Sequence, residues 1–187
     1  MNVKTRIAAV GASLALVVVL AACGGQDTPS ATGPNHNDAD VEFAQMMIPH
    51  HEGAIAMADL AVKSATTEPV KDLGRRISAA QGPQIKELTS WLKAWGEGSK
   101  AGAGDMAGMQ MGDSKPDGAM SELGTTAGPS FDRRFLELMI DHHRGALDMA
   151  KAELTGGKNP QARKLARVII DAQTSEIAEM TGMLADL

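Results

Sequence analysis

A thirteen-residue stretch, Met46-Met47-Ile48-Pro49-His50-His51-Glu52-Gly53-Ala54-Ile55-Ala56-Met57-Ala58, returns 92 residues later as Leu138-Met139-Ile140-Asp141-His142-His143-Arg144-Gly145-Ala146-Leu147-Asp148-Met149-Ala150. Met, His-His, Gly-Ala and Met-Ala recur in register while the residues between them drift, and four of the five histidines lie in the two copies. The repeat runs further. Phe43 matches Phe135, Leu73 matches Leu165, Gln81 matches Gln173, Ile85 matches Ile177 and Leu92 matches Leu184, all at the same spacing. A unit of this size with helical periodicity cannot bury its apolar face alone, so two copies must pack together. The duplication therefore predicts an all-α four-helix bundle built from two αα-hairpins.

The pattern along each copy sets the helices. The first runs from near Asp38 to about Ser64, and at about 100° per residue Phe43, Met47, Ala54, Ala58 and Ala61 fall in one stripe. Pro49 removes a backbone donor and predicts a local bend, which its counterpart Asp141 does not share. The second helix starts at Glu68-Pro69 and ends at Trp95-Gly96, with Gly82-Pro83 predicting another bend. Residues 96–129 lose the apolar period and read as a Met/Gly-rich loop between the halves. The third helix follows a Ser130 cap and runs to about Thr155. The fourth runs from Asn159-Pro160 almost to the C-terminus, with Leu165, Ile169, Ala172, Met180 and Met183 on its inner face.

The beginning of the chain reads as an export signal. Lys4 and Arg6 precede an apolar run from Ile7 to Ala22, which is short for a membrane span. Leu20-Ala21-Ala22-Cys23 resembles the bacterial lipobox, implying that residues 1–22 are removed and Cys23 becomes a lipidated first residue. Residues 23–37 are a flexible tether, and residues 38–187 form the helical domain. The localisation expected is an exported protein, lipid-anchored on the outer face of the cytoplasmic membrane or elsewhere in the cell envelope. With one cysteine no intrachain disulfide can form. Loss of residues 1–22 takes the formal charge from −5 to −7, which argues against a nucleic-acid partner.

Imidazole next to thioether points to a soft metal, with Cu(I) first and Cu(II) or Ag(I) as further ions. Met46, His50 and Met57 share one side of the first helix, and His142 and Met149 repeat the seven-residue step with Leu138 in place of Met46. Met47 with His51 and Met139 with His143 are each four apart. A lone His/Met pair would read as core packing, but four rings in two duplicated pairs are costly to bury without a ligand. Candidate ligands are thus His50, His51, His142, His143, Met46, Met47, Met57, Met139, Met149, Met180 and Met183. Met106, Met109 and Met111 in the loop form an auxiliary thioether cluster, whose alternative is a linker that happens to contain Met. Gln81, Gln173 and Glu176 could orient an imidazole through its other nitrogen, or simply edge the core.

Other chemistries fit poorly. The residues three before the four histidines are Met47, Ile48, Met139 and Ile140, so the Glu-x-x-His motif of di-iron bundles is missing. His51-Glu52 opens like a zinc-peptidase helix, but Ile55 stands where the second His is needed. No Ser/His/Asp set, phosphate loop or dinucleotide fingerprint occurs, and a non-catalytic protein is expected.

Met47 to Met57, Met139 to Met149 and Gln173-Thr174-Ser175-Glu176-Ile177-Ala178-Glu179-Met180 together resemble the bacterial family called domain of unknown function 305. The match covers about residues 38–187 apart from the loop. The resemblance implies a ferritin-like helical bundle, exported, with members that bind copper and contribute to copper tolerance. Helix two departs from it, with Gln84 opposite Glu176 and Leu88 opposite Met180, so the halves should not be equivalent. The expectation is copper sequestration or delivery, with a delivery protein as a partner. A metal-dependent oxidoreductase and an envelope interaction bundle with structural histidines remain the alternatives.

Overall fold

Asparagine caps fix two of the helix starts, and proline in the first turn marks others. The computed structural model of the protein describes residues 35–98 and 116–187, so Cys23, most of the expected tether and Met106, Met109 and Met111 lie outside the described residues. The helices are α1 (Asp38–Ser64), α2 (Glu68–Trp95), α3 (Pro116–Thr125), α4 (Pro129–Gly156) and α5 (Pro160–Ala185). Asn37 caps α1 in a reciprocal box with Asp40, with bonds of 2.7 and 3.2 Å. Asn159 accepts from the Gln161 and Ala162 amides to start α5. Gly96, at φ +78°, closes α2 in the left-handed conformation that other residues resist. Both α1 and α2 run on through Pro49 and Pro83.

Three local expectations are corrected. The segment 96–129 is not all loop, because α3 lies within it, and its Leu123 is fully buried against α1 and α4. A ten-residue helix is too short to carry a periodic signal, and it is held by that apolar contact instead. The fourth helix of the sequence reading, now α5, turns Gln173 inward and leaves Ala172 exposed. Finally, α4 begins at Pro129 after Gly128, with Ser130 already helical.

The hairpins α1–α2 and α4–α5 pack through α1 against α4, with α3 laid across one end. Two apolar cores result. One joins Phe43, Met47, Leu88 and Leu92 of the first hairpin to Met149, Leu165 and Ile169 of the second. The other joins Met57, Leu73 and Ile77 to Phe131, Phe135, Met139 and Met180, with Leu123 from α3. The first half of α1 thus shares a core with the second half of α4, so the two helices run antiparallel. Gly74 lets α2 approach α1 closely, since a Cβ there would stand 2.8 Å from the Ala58 carbonyl oxygen. Among the described residues no helix is long and apolar enough to cross a membrane.

A pair of buried carboxylates clasps the halves. Asp132, in the first turn of α4, accepts from the Thr66 amide at 2.7 Å, the Thr66 hydroxyl at 2.9 Å and the Thr67 amide at 2.9 Å, all in the α1–α2 connection. Asp40, in the first turn of α1, accepts from the Asn159 amide at 2.8 Å and the Lys158 amide at 3.1 Å, in the α4–α5 connection. Both pairings repeat at the spacing of 92. Each half therefore ties down the turn of the other.

Candidate metal centre

Between the two cores the helices turn polar residues inward at one level. His50 and His51 on α1 lie between Ile48 and Ala54, and His142 and His143 on α4 between Ile140 and Ala146, in the gap between the clusters. Gln81 and Gln84 on α2, and Gln173 and Glu176 on α5, occupy the same gap. All four histidines are buried.

The arrangement has an internal two-fold character. The rings of His50 and His142 meet across the α1–α4 contact with centroids 3.7 Å apart and planes tilted by 44°. Each rests on the other copy's glycine: a Cβ on Gly145 would stand 3.0 Å from His50 Nε2, and one on Gly53 3.4 Å from His142 Nε2. The glycine recurs in the sequence, but nothing short of the packed helices shows that it makes room for a ring. The outer histidines face the second helix of their own hairpin. His51 Nε2 pairs with Gln84 Oε1 at 2.7 Å, and His143 Nε2 with Glu176 Oε2 at 2.6 Å.

Glu176 thus touches an imidazole as the sequence allowed, whereas Gln81 and Gln173 do not. Both are buried, and their carbonyl oxygens accept no hydrogen bond. Gln84 holds the position the sequence reading gave to Gln81. The signal for it was its register with Glu176, which periodicity alone could not separate from a register three residues away. His36, the fifth histidine, stacks on Trp95 with ring centroids 4.6 Å apart.

The methionines sort by level. Met47 and Met149 belong to one apolar core and Met57 and Met139 to the other, so each side of the histidine layer has one buried thioether from α1 and one from α4, with the half-buried Met46 added on the first side. Met180 and Met183 lie in the core that α3 covers. Met46 is half-buried, and with Met149 and His50 it lines a pocket of about 460 Å³.

Burial keeps the rings of His50, His51 and His142 neutral. Burial first, then the neighbouring His51 and His143, push His50 down to about 3. Burial pushes His51 down to about 4, opposed by its bond to Gln84. His142 lies well below the ordinary value, through burial and then through His50. Neutral imidazole is the form that binds a metal. In contrast, burial and then the adjacent Asp40 raise Glu153, on the pocket wall, to about 8, so it is largely protonated at neutral pH.

These depressed values have a stability consequence. The unfolded rings titrate near the ordinary 6.5, so the folded state's advantage is complete above that pH and is lost as pH falls toward 4 and 3. We expect about 2 kcal/mol of stability to disappear between pH 7 and pH 6 across the three rings, by linkage. Urea unfolding at the two pH values in a Glu153→Gln background, which removes the opposing proton uptake of that raised carboxyl, measures it, and equal midpoints would show that the rings take up protons inside the fold.

The donor set can be tested against a metal. Both ring nitrogens of His50 and the Nδ1 atoms of His51, His142 and His143 are buried without hydrogen-bond partners. Buried polar atoms are rarely left so. Among the described residues no three His, Cys, Asp or Glu side chains converge on one ion-sized point. The residues present therefore suit a soft ion held by a few imidazole nitrogens and thioether sulfurs better than a hard ion in an oxygen cage.

Comparison with known proteins gives a consistent family picture. The family model described as "Domain of unknown function (DUF305)" matches residues 40–184. No curated protein matches the chain. The crystal structure of a DUF305 fragment from Deinococcus radiodurans is 29% identical, with TM-score 0.75, covering 82% of this chain and 100% of that one. A DUF305 protein from Streptomyces coelicolor is 32% identical, with TM-score 0.71, covering 79% and 93%. CopM in its Cu(I)-bound form is 33% identical, with TM-score 0.66, covering 79% and 96%. CopM has also been solved in Cu(II)-bound and Ag-bound forms.

Proposed function

The chain belongs to the DUF305 family, and from that premise we propose that it binds copper at the histidine layer, for sequestration, tolerance or delivery and without catalysis. The observation that carries the reading is the contact of His50 with His142 in the interior, with unpartnered nitrogens turned between thioether-bearing cores. The copper- and silver-bound forms of CopM support it.

In this reading His50, His51, His142 and His143 supply nitrogen, and Met46, Met47, Met57, Met139 and Met149 supply sulfur from either side. Every one of these donors is neutral when it binds. A monovalent ion leaves one net charge to bury, whereas Cu(II) leaves two, and burying charge is expensive. Cu(I) is therefore preferred, with Ag(I) as its mimic. The Glu176 carboxylate beside His143 offsets part of that charge and fixes the ring's orientation. Cys23 would anchor the exported chain through lipid, and a delivery protein would receive the ion.

Competition of the protein with a chromogenic Cu(I) chelator tests the proposal. Withdrawal of copper from the chelator, together with a rise in unfolding temperature on loading, is expected, because a ligand of the native state must stabilise it. No withdrawal and no rise would overturn the reading. Glu176→Ala should weaken binding by about 10- to 100-fold, the usual cost of removing a ligand's orienting partner, and Glu176→Gln should retain most of it. The same titration reads both.

A further inference from the structure

Resting on that copper reading, we infer that the pocket between the first half of α1 and the second half of α4 is the mouth through which a soft cation reaches His50, with Met46 and Met149 as the donors that first capture it. The floor of this pocket is His50, which is 1% exposed and has both ring nitrogens unpartnered. Its walls carry the two thioethers, and Glu42 and Asp148, both exposed, stand at its rim, with Asp148 3.6 Å from the Lys151 ammonium and Glu42 left to carry the rim's negative charge. A carboxylate at the rim draws in cations, thioethers on the wall select soft ones, and an imidazole at the bottom retains them.

The duplication supplies an internal control. Every residue of this pocket has a counterpart 92 positions away, around His142, and the counterparts close that side. Glu42 becomes Arg134 and Met46 becomes Leu138. Asp148, Ala152 and Ala39 become Ala56, Leu60 and Phe131. Phe131 and Leu138 are buried in the core that α3 covers with Leu123, and Leu60 packs against it. The two ends of the His50–His142 pair thus differ among the described residues: one is open, with two thioethers and Glu42 at its rim, and the other keeps one thioether, Met57, behind the packed side chains of Leu60, Phe131 and Leu138. Among the described residues access is one-sided.

The test is the rate of copper transfer from a chromogenic Cu(I) complex to the full-length protein by stopped flow, with equilibrium binding measured alongside. Ala152→Trp plugs the open pocket from an exposed position, and Ala152→Leu does so more gently by copying the mirror residue. Ala56→Trp makes the equivalent change on the closed side. Loading at least tenfold slower in the Ala152 variants, with wild-type affinity at equilibrium and a wild-type rate for Ala56→Trp, is expected. Unchanged rates in the Ala152 variants, or equal slowing by Ala56→Trp, would overturn the inference while leaving the copper reading intact. A wild-type protein that takes up no copper at equilibrium would overturn both.

Discussion

Replacing Asp132 by alanine lowers the unfolding free energy by about 3 kcal/mol or more, the loss expected when a buried charged acceptor leaves several donors unmatched. The carboxylate is fully buried and accepts three bonds from Thr66 and Thr67. Alanine strands those donors at the place where the second hairpin holds the turn of the first. Asn at the same position keeps the shape and one acceptor, and should cost less than Ala. Burial alone would raise this carboxyl, but the bonds from Thr66 and Thr67 together outweigh it and hold Asp132 below the ordinary value of 3.8. Its contribution is therefore present above pH 4 and is lost as pH falls through the folded value. Asp40→Ala should cost a similar amount near neutral pH, because it strands the Lys158 and Asn159 amides. Chemical denaturation near neutral pH measures both. A loss under about 1 kcal/mol for either variant would show that the clasp is incidental, since ordinary surface substitutions stay within about 0.5 kcal/mol.

Substituting His50, His51, His142 and His143 together with alanine removes the nitrogen donors and should weaken Cu(I) binding at least about 100-fold, more than the loss of any orienting partner alone. The rise in unfolding temperature that loading brings to the wild type should vanish with it, because the stabilisation scales with ligand concentration over the dissociation constant. The effect on the metal-free protein is a separate matter. Four large-to-small changes open space between the two cores, but they also delete five buried ring nitrogens that have no partner. These opposing effects make the loss of apo stability smaller than four ordinary core truncations would give. A circular-dichroism melt of the metal-free variant checks that the helices persist. Wild-type affinity in a folded four-alanine protein would place copper elsewhere.

The repeat at 92 residues carried most of the fold in the sequence. It is long, and helical periodicity and Asn or Pro starts mark the helix ends to within a residue or two. The site was legible only in part. His50, His51, His142 and His143 stood out because imidazoles in duplicated pairs are rare, and Glu176 because it sits among apolar neighbours. Three features depended on tertiary packing. The pairing of His51 with Gln84 needs the relative rotation of α1 and α2, which no single-helix pattern contains. The seating of His50 on Gly145 and of His142 on Gly53 arises only when α1 crosses α4. The clasps of Asp40 and Asp132 were not read from the sequence, because their partners are mostly backbone amides, which leave no side-chain signature. The helix α3 escaped notice because Leu123 is held by long-range contact rather than by any local pattern.

Copper K-edge X-ray absorption of the Cu(I)-loaded protein, compared with the four-histidine variant, decides whether copper sits at the histidine layer. Mixed imidazole-nitrogen and thioether-sulfur scattering in the wild type, with the imidazole contribution gone from the variant, is the result expected of an ion held at the histidine layer. A sulfur-only shell that is the same in both proteins would contradict it, and so would an oxygen shell indifferent to the four substitutions.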